Sequence, residues 1–237
     1  MKNNINLGNL AIIIPVFNEK DIIEKVINDW LFIAKKFDGF IIIINDGSSD
    51  NSLKILKKIN KKSNRLIIIN KKNSGHGPTV YVGYEIALRK KFKFIFQVDS
   101  DDQFFSKDFN KLWKLRDDNL LILGFRKKRY DSFHRLIITR LLKFFNLILF
   151  RKFVPDANIP YRLMGYEFLK KNFKYISFKS LAPNILISIK AAKDKTIKSL
   201  VVSHKKRLTG QVWIVKFNLI KFIFKVFIEI INFKKII

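Results

Sequence analysis

The sequence predicts an α/β fold built on a mostly parallel sheet, and three observations carry that prediction. Short apolar runs alternate with longer stretches of helical spacing, the order that βαβ units require. The runs are apolar at nearly every position, as in FIIII at 40–44, which suits strands covered on both faces. Polar residues gather after the apolar runs, and in parallel sheets ligands collect beyond the carboxyl ends of the strands.

The elements follow in order. A first strand is expected over residues 10–14, ending at Pro15. Residues 21–36 place Ile22, Ile23, Val26, Ile27 and Trp30 at helical spacing. A second strand is expected at 40–44, and Ser49 or Asp50 is placed to cap a helix running to about Lys62. A third strand at 66–69, a helix at 79–90 opened by Pro78, and a fourth strand at 92–98 complete this part.

A chain of 237 residues can bury a full core and fits one α/β domain with an appendage. It has no cysteine, which excludes a disulfide framework and a thiolate metal site and agrees with a reducing compartment. The N-terminus lacks the basic and apolar regions of a signal peptide. The net charge of +28 points to a polyanionic partner, nucleic acid or an anionic membrane surface. Part of the excess fits AT-rich codon drift, because Lys, Ile, Asn and Phe all crowd the sequence. The aromatic residues cluster with Ile and Leu instead of interleaving with Arg, so a nucleic-acid-binding protein is the lesser reading and no nucleic-acid partner is expected.

The segment QVDSDDQF at 97–104 carries the most chemistry. Asp99 and Asp101 stand where the fourth strand ends, and Gln103 offers a third oxygen. Hard divalent cations, Mg²⁺ or Mn²⁺, take such oxygen ligands and keep positions open for phosphates. The earlier strands run into PVFNE at 15–19, NDGSSD at 45–50 and NKKNSGHG at 70–77. Each could be ordinary turn chemistry, but four in succession indicate a convergent site. No G-x-G-x-x-G follows the first strand and no Walker motif occurs, which argues against a Rossmann site and a P-loop. There is no nucleophile elbow, and His76, His134 and His204 lack metal-ligand spacing.

These motifs, in this order and spacing, resemble the inverting family-2 glycosyltransferases of the GT-A fold, a three-layer sandwich around a mostly parallel sheet. GFRKKRYD at 124–131, PDANIPYRLM at 155–164, LAPN at 181–184 and SHKKRLTG at 203–210 are similar to the branch of polyprenyl- and dolichyl-phosphate mannosyl- and glucosyltransferases. The resemblance implies that Pro15, Phe17 and Glu19 line the nucleobase and ribose pocket and that Asp46 bonds the base. Phe17 stands where Tyr is common, keeping a stacking face without the hydroxyl. Asp99, Asp101 and Gln103 would hold Mg²⁺ or Mn²⁺ against the diphosphate, with Ser100 near the ribose. Arg126 and Arg207 would neutralise phosphate charge. Many relatives have Glu where this chain has Asn184. An amide is no base, which favours an acceptor already ionised, a lipid phosphate; Asp156 is the fallback base. The processive Q-x-x-R-W signature is absent, so single-sugar transfer is expected.

Two basic amphipathic helices are expected. Residues 132–150 align Arg135, Thr139, Lys143 and Asn146 on one face with Arg140 at its edge, and the resemblance makes Arg135 and Arg140 the acceptor-phosphate candidates. In the tail, residues 211–237, Asn218, Lys221, Lys225, Glu229 and Asn232 form a narrow polar stripe on an otherwise apolar helix. It has too many charges for a comfortable membrane span and suits the plane of an anionic membrane; packing on the domain or on a dimer partner is the alternative. Residues 1–210 would then be the catalytic domain and 211–237 its membrane-interface helix. The expected function is metal-dependent transfer of one sugar from a nucleotide sugar to a polyprenyl phosphate or lipid-linked glycan. The protein would sit peripherally on the cytoplasmic membrane face, as a homodimer or with an anchoring partner, and serve cell-envelope polysaccharide synthesis. The same fold acting on a soluble hydroxyl acceptor is the alternative.

Overall fold

The computed structural model describes residues 8–126, 154, 156–206 and 216–237. Strand β1 (Leu10–Val16), helix α1 (Ile23–Lys36), β2 (Gly39–Asn45), α2 (Ser52–Asn60), β3 (Leu66–Asn70), α3 (His76–Arg89) and β4 (Phe94–Val98) follow the expected βαβ order. A 3₁₀ turn (Ser106–Asp108) leads into α4 (Phe109–Lys114) and β5 (Leu121–Arg126). After the undescribed residues come β6 (Tyr161–Gly165), α5 (Tyr166–Phe173), α6 (Pro183–Lys193), β7 (Ile197–Val202) and α7 (Lys216–Ile236). The strands form one seven-stranded sheet in the order β3-β2-β1-β4-β6-β5-β7. Among the described strands only β6 runs antiparallel to its neighbours, β4 and β5.

The isoleucine-rich strands are covered on both sides. Ile12, Ile13, Ile14, Ile41, Ile42, Ile43 and Ile44 are all fully buried. Right-handed crossovers place α1 and α2 on one face and α3 on the other, because the chain reverses direction along the sheet between β3 and β4. On the first face an aromatic cluster fills the space under α1 and α4. Trp30 and Phe109 meet Phe96, whose ring lies 5.1 Å and 4.9 Å from theirs, and Tyr161 stands 4.8 Å from Phe96. On the second face Gly83 lets α3 press onto β1, since a Cβ there would stand 2.4 Å from the Ile13 Cγ2 methyl.

Several boundaries shift for local reasons. Helix α1 starts at Ile23, after a turn in which the N–H groups of Ile22 and Ile23 both donate to the Glu19 carbonyl. Helix α3 starts three residues earlier than expected, at His76, because Gly75 takes φ +91 and turns the chain there. Asp50 serves the start of α2, accepting from Ser52 N–H at 2.9 Å, although Asn51 holds the N-cap position.

Helix α7 packs against the protein. Val226, Ile230 and Phe233 close a second apolar cluster with Ala182, Ile185, Leu186 and Ile189 of the α6 region. The Glu229 carboxylate, one of the expected polar stripe, accepts from the Leu181 N–H at 3.1 Å. The helix therefore has an inner face on the domain, the packing that the sequence left as the alternative to the membrane plane. Among the described residues no helix is long and apolar enough to cross a membrane.

Candidate functional site

Strands β1 and β4 are adjacent, yet the loops that follow them run to opposite sides, so a crevice opens between their carboxyl ends. Their ladder stops at Ile13 and Gln97, whereas β1 stays paired to β2 as far as Val16. Pro15 sits inside this divergence. Asn9 O bonds Phe94 N and Val16 O bonds Asp46 N, so odd residues of β1 face β4 and even ones face β2. The absent N–H of Pro15 thus points where no ladder remains, which is how a proline fits a central strand.

Around the crevice the first two loops are knitted together. Asn18, at φ +53, donates from its N–H to Ser48 Oγ at 3.0 Å and accepts from Ser49 N–H at 2.8 Å. Glu19 N–H donates to Ser52 Oγ at 2.9 Å and Lys20 N–H to the Asp50 carboxylate at 3.1 Å. Asn45 joins Asn70 at 2.7 Å and accepts from Ser48 Oγ at 2.6 Å. Of the residues expected to meet a nucleoside, Pro15, Glu19, Asp46 and Ser100 are buried in the walls and Phe17 is half-buried.

Asp46 is tied to the third loop. Its carboxylate accepts from the N–H groups of Ser74 and Gly75, each at 2.9 Å, and pairs with Lys71 Nζ, which also donates to Ser74 Oγ. Gly77 presses the start of α3 onto the chain before α6: a Cβ there would lie 2.2 Å from Ser180 O and 2.8 Å from Leu181 O. This delivers His76, half exposed, to the fourth loop, with Nε2 3.1 Å from Asp99 Oδ1. The surrounding protein disfavours the imidazolium, but Asp99 first, then Asp101 and Asp46, outweigh that and hold the His76 pKa above its ordinary value. His76 was visible only as part of a glycine-rich turn, and Lys71 only as one lysine among many.

The acidic loop is anchored at its far end. Asp102, at φ +55, bridges Lys25 at 3.1 Å and Lys205 at 2.7 Å. The Gln103 side-chain Nε2 donates to Lys205 O at 3.3 Å, and the Gln103 backbone carbonyl accepts from Lys205 N–H at 3.0 Å. Phe104 and His204 form an antiparallel bridge. The segment leading to Arg207 is thus zipped onto the loop that carries Asp99 and Asp101. Among the described residues no group of three or more His, Asp or Glu is arranged to hold a metal ion by itself.

Arg126 is paired, with Nε and Nη2 both 2.9 Å from Asp156 Oδ2, so its charge is already matched by the carboxylate that was the fallback base. Asn184 is 1% exposed and lies 2.9 Å from the Tyr84 hydroxyl, which also contacts Gln97 at 2.5 Å. One hydroxyl has one proton, so one amide must turn its NH₂ toward it; Gln97, whose Nε2 is buried without a partner, is the one that gains by turning. Beneath them Arg162 is fully buried. Its guanidinium donates to the carbonyls of Ala157, Ile159 and Asn184 at 2.8–2.9 Å. Desolvation lowers its pKa. Arg162 entered the sequence reading only as part of the PDANIPYRLM motif, with no sign that it would be buried. Arg207, Arg135, Arg140 and the helix expected over 132–150 lie outside the described residues.

The glycosyl transferase family 2 model matches residues 11–181, a span that runs from β1 through all four strand-end loops. The chain belongs to that family. This glycosyltransferase is 34% identical over 169 residues to an uncharacterized protein of Methanocaldococcus jannaschii, covering 67% of this chain and 72% of that one. It is 28% identical over 214 residues to the dolichyl-phosphate beta-glucosyltransferase of Dictyostelium discoideum, covering 81% of this chain and 64% of the relative. Its fold matches glucosyl-3-phosphoglycerate synthase of Mycobacterium tuberculosis, crystallised with Mn²⁺, uridine diphosphate and glucosyl-3-phosphoglycerate. That match has a TM-score of 0.71 at 14% identity, over 96% of this chain and 80% of the other, and gives the glycosyltransferase the GT-A fold.

Proposed function

We propose that this glycosyltransferase moves one sugar, with inversion, from a nucleotide sugar to a polyprenyl phosphate or lipid-linked glycan at the cytoplasmic face of a membrane, for cell-envelope polysaccharide synthesis. The observation that carries the acceptor class is the state of the two positions the sequence offers for a general base. Asn184 is buried against Tyr84, and Asp156 is engaged by Arg126. A hydroxyl acceptor needs a base, whereas a phosphate monoester is ionised near neutral pH and attacks without one.

In this reading Pro15, Phe17, Glu19, Asp46 and Ser100 form the nucleoside pocket, and the knitting of Asn18 to Ser48 and Ser49 gives that pocket a fixed shape. Asp99 and Asp101 are hard oxygen donors at a strand end, with the Gln103 amide oxygen beside them, and so suit Mg²⁺ or Mn²⁺ once donor phosphates complete the ligand set. The ion would supply Lewis-acid stabilisation of the departing diphosphate. Arg207 would add positive charge there, as would Arg126, whose guanidinium is shared with Asp156. Arg135 and Arg140 receive the acceptor phosphate. Residues 1–210 are the catalytic unit and 211–237 its helical extension.

The test is a screen of UDP-, GDP- and dTDP-sugars for Mn²⁺-dependent thermal stabilisation, followed by transfer to polyprenyl phosphate with and without EDTA. Asp101→Ala is expected to abolish transfer and leave the fold intact. Full activity in EDTA would overturn the metal assignment, and equal transfer to a soluble sugar hydroxyl would overturn the acceptor class.

A further inference from the structure

The outer face of α7 and the chain beside it form a surface whose chemistry is not used by the catalytic site. Eight large apolar side chains are exposed among the described residues, and four of them lie on this helix: Phe222, Phe224, Ile228 and Ile236. Phe224 and Ile236 are each 63% exposed. An open groove of about 330 Å³ joins the helix to the chain at 175–181, lined by Tyr175 and Lys179 on one side and by Lys225, Ile228 and Ile236 on the other. Exposed lysines surround the apolar groups: Lys174 and Lys179 on one side, Lys221, Lys225, Lys234 and Lys235 on the helix.

Two features decide what covers this face. The only carboxylate in the helix, Glu229, is half-buried in the groove and accepts from the Leu181 N–H, so the six lysines outnumber it and the face is strongly cationic. The inner face is meanwhile committed to the Val226, Ile230 and Phe233 contacts with α6, which fixes the outward rotation of Phe224 and Ile228. Like charge opposes a second copy, since a two-fold contact would set lysines against lysines on a chain of net charge +28. A nucleic acid would leave the Phe and Ile side chains without a purpose. An anionic bilayer satisfies both groups at once: apolar side chains enter the headgroup boundary and lysines meet lipid phosphates.

We infer that α7 and residues 174–181 are a docking face for an anionic lipid bilayer, on which the helix lies flat while its inner face stays on the domain. The inference rests on the lipid-acceptor reading for its purpose and on its own observations for its existence. It also places the membrane beside the reaction, because the backbone of residues 180–181 that borders this face is the wall against which Gly77 packs, one residue from His76.

The experiment is flotation of the full chain with vesicles of phosphatidylcholine alone and with added phosphatidylglycerol, at low and high salt. Binding is expected only with the anionic lipid and is expected to weaken with salt. Lys221→Glu with Lys225→Glu, and separately Phe224→Glu with Ile228→Glu, should each lower the partition coefficient by at least about tenfold. Phe224→Leu with Ile228→Leu should retain it, and unchanged circular-dichroism melting would show that the charged variants fold. Undiminished vesicle binding by both charged pairs overturns the inference. So does a dimer, seen by light scattering, that the same variants dissolve. Salt-sensitive binding to DNA with none to vesicles overturns it as well. Vesicle binding without sugar transfer would instead fell the catalytic reading and leave the docking face standing.

Discussion

The two halves of the sheet are held together in different ways. From β1 to β4 the strand-end loops are joined by many short polar bonds between near neighbours in space, as between Asn18 and Ser48 or Asp46 and Gly75. From β5 to α7, among the described residues, the contacts that stand out are buried: Arg126 with Asp156, Arg162 with the carbonyls of the 157–159 turn and of Asn184, and α7 with α6. Redundant bonds share the cost of any one loss, so damage in the first half should be read in ligand affinity. A buried charged group is costly to leave when a partner is lost, so damage in the second half should be read in stability.

The largest effect should come from breaking the buried pair. Asp156→Ala removes the buried carboxylate that Nε and Nη2 of Arg126, a side chain 9% exposed, both bond. Removing one partner of a buried ion pair costs about 3–5 kcal/mol, which urea unfolding would measure. A loss below about 1 kcal/mol, the range of a surface pair, would mean that the second half is as redundant as the first.

In the first half, Asp46→Ala should weaken nucleotide binding by roughly 1–3 kcal/mol, because Ser74 N–H, Gly75 N–H and Lys71 lose their acceptor. Isothermal titration checks the affinity, and unfolding should change less than for Asp156→Ala. Equal losses in stability would erase the contrast. A smaller effect belongs to the seam between α7 and the domain: Glu229→Ala removes one half-exposed bond to Leu181 N–H and should cost about 1 kcal/mol, with Glu229→Gln retaining most of it.

The mildest effect is on acid stability, and its sign follows from two carboxylates. Burial alone would raise the pKa of Asp108, but its bonds to Lys111 and Ser203 outweigh that and hold it below the ordinary value. Asp50 is likewise lowered, its bonds to Ser52 and Lys20 outweighing burial. A lowered folded-state pKa contributes stability that is fully present above the unfolded value and is lost as pH falls through the folded one. Through these two groups stability should hold above about pH 5 and melting temperature should fall toward about pH 3, whereas the raised His76 pKa gives a contribution that is lost as pH rises. Asp108→Asn should flatten that slope, and an unchanged slope would remove Asp108 from the account.

The order and type of the first seven elements, the parallel sheet and the four polar strand ends were legible in the sequence. That half is built from local units: each apolar run is a complete strand, each crossover is a neighbouring helix, and the ligand end of a parallel strand is its C-terminus. Asp99, Asp101 and Asp46 stood out because polar residues follow four successive apolar runs, although each cluster alone could be a turn. The placement of His76 against Asp99, of Arg126 against Asp156 and of Asn184 against Tyr84 was decided by tertiary structure alone. So was the insertion of antiparallel β6 between β4 and β5, which no spacing announces because its partners lie some sixty residues before it and forty before it in the chain. The tail shows the division most clearly. Its composition determined that it would be an amphipathic basic helix, but a helix with apolar residues around most of its circumference has several faces it could bury. Only the apolar patch of α6 selected Val226, Ile230 and Phe233 for the inside and left Phe224 and Ile228 facing out.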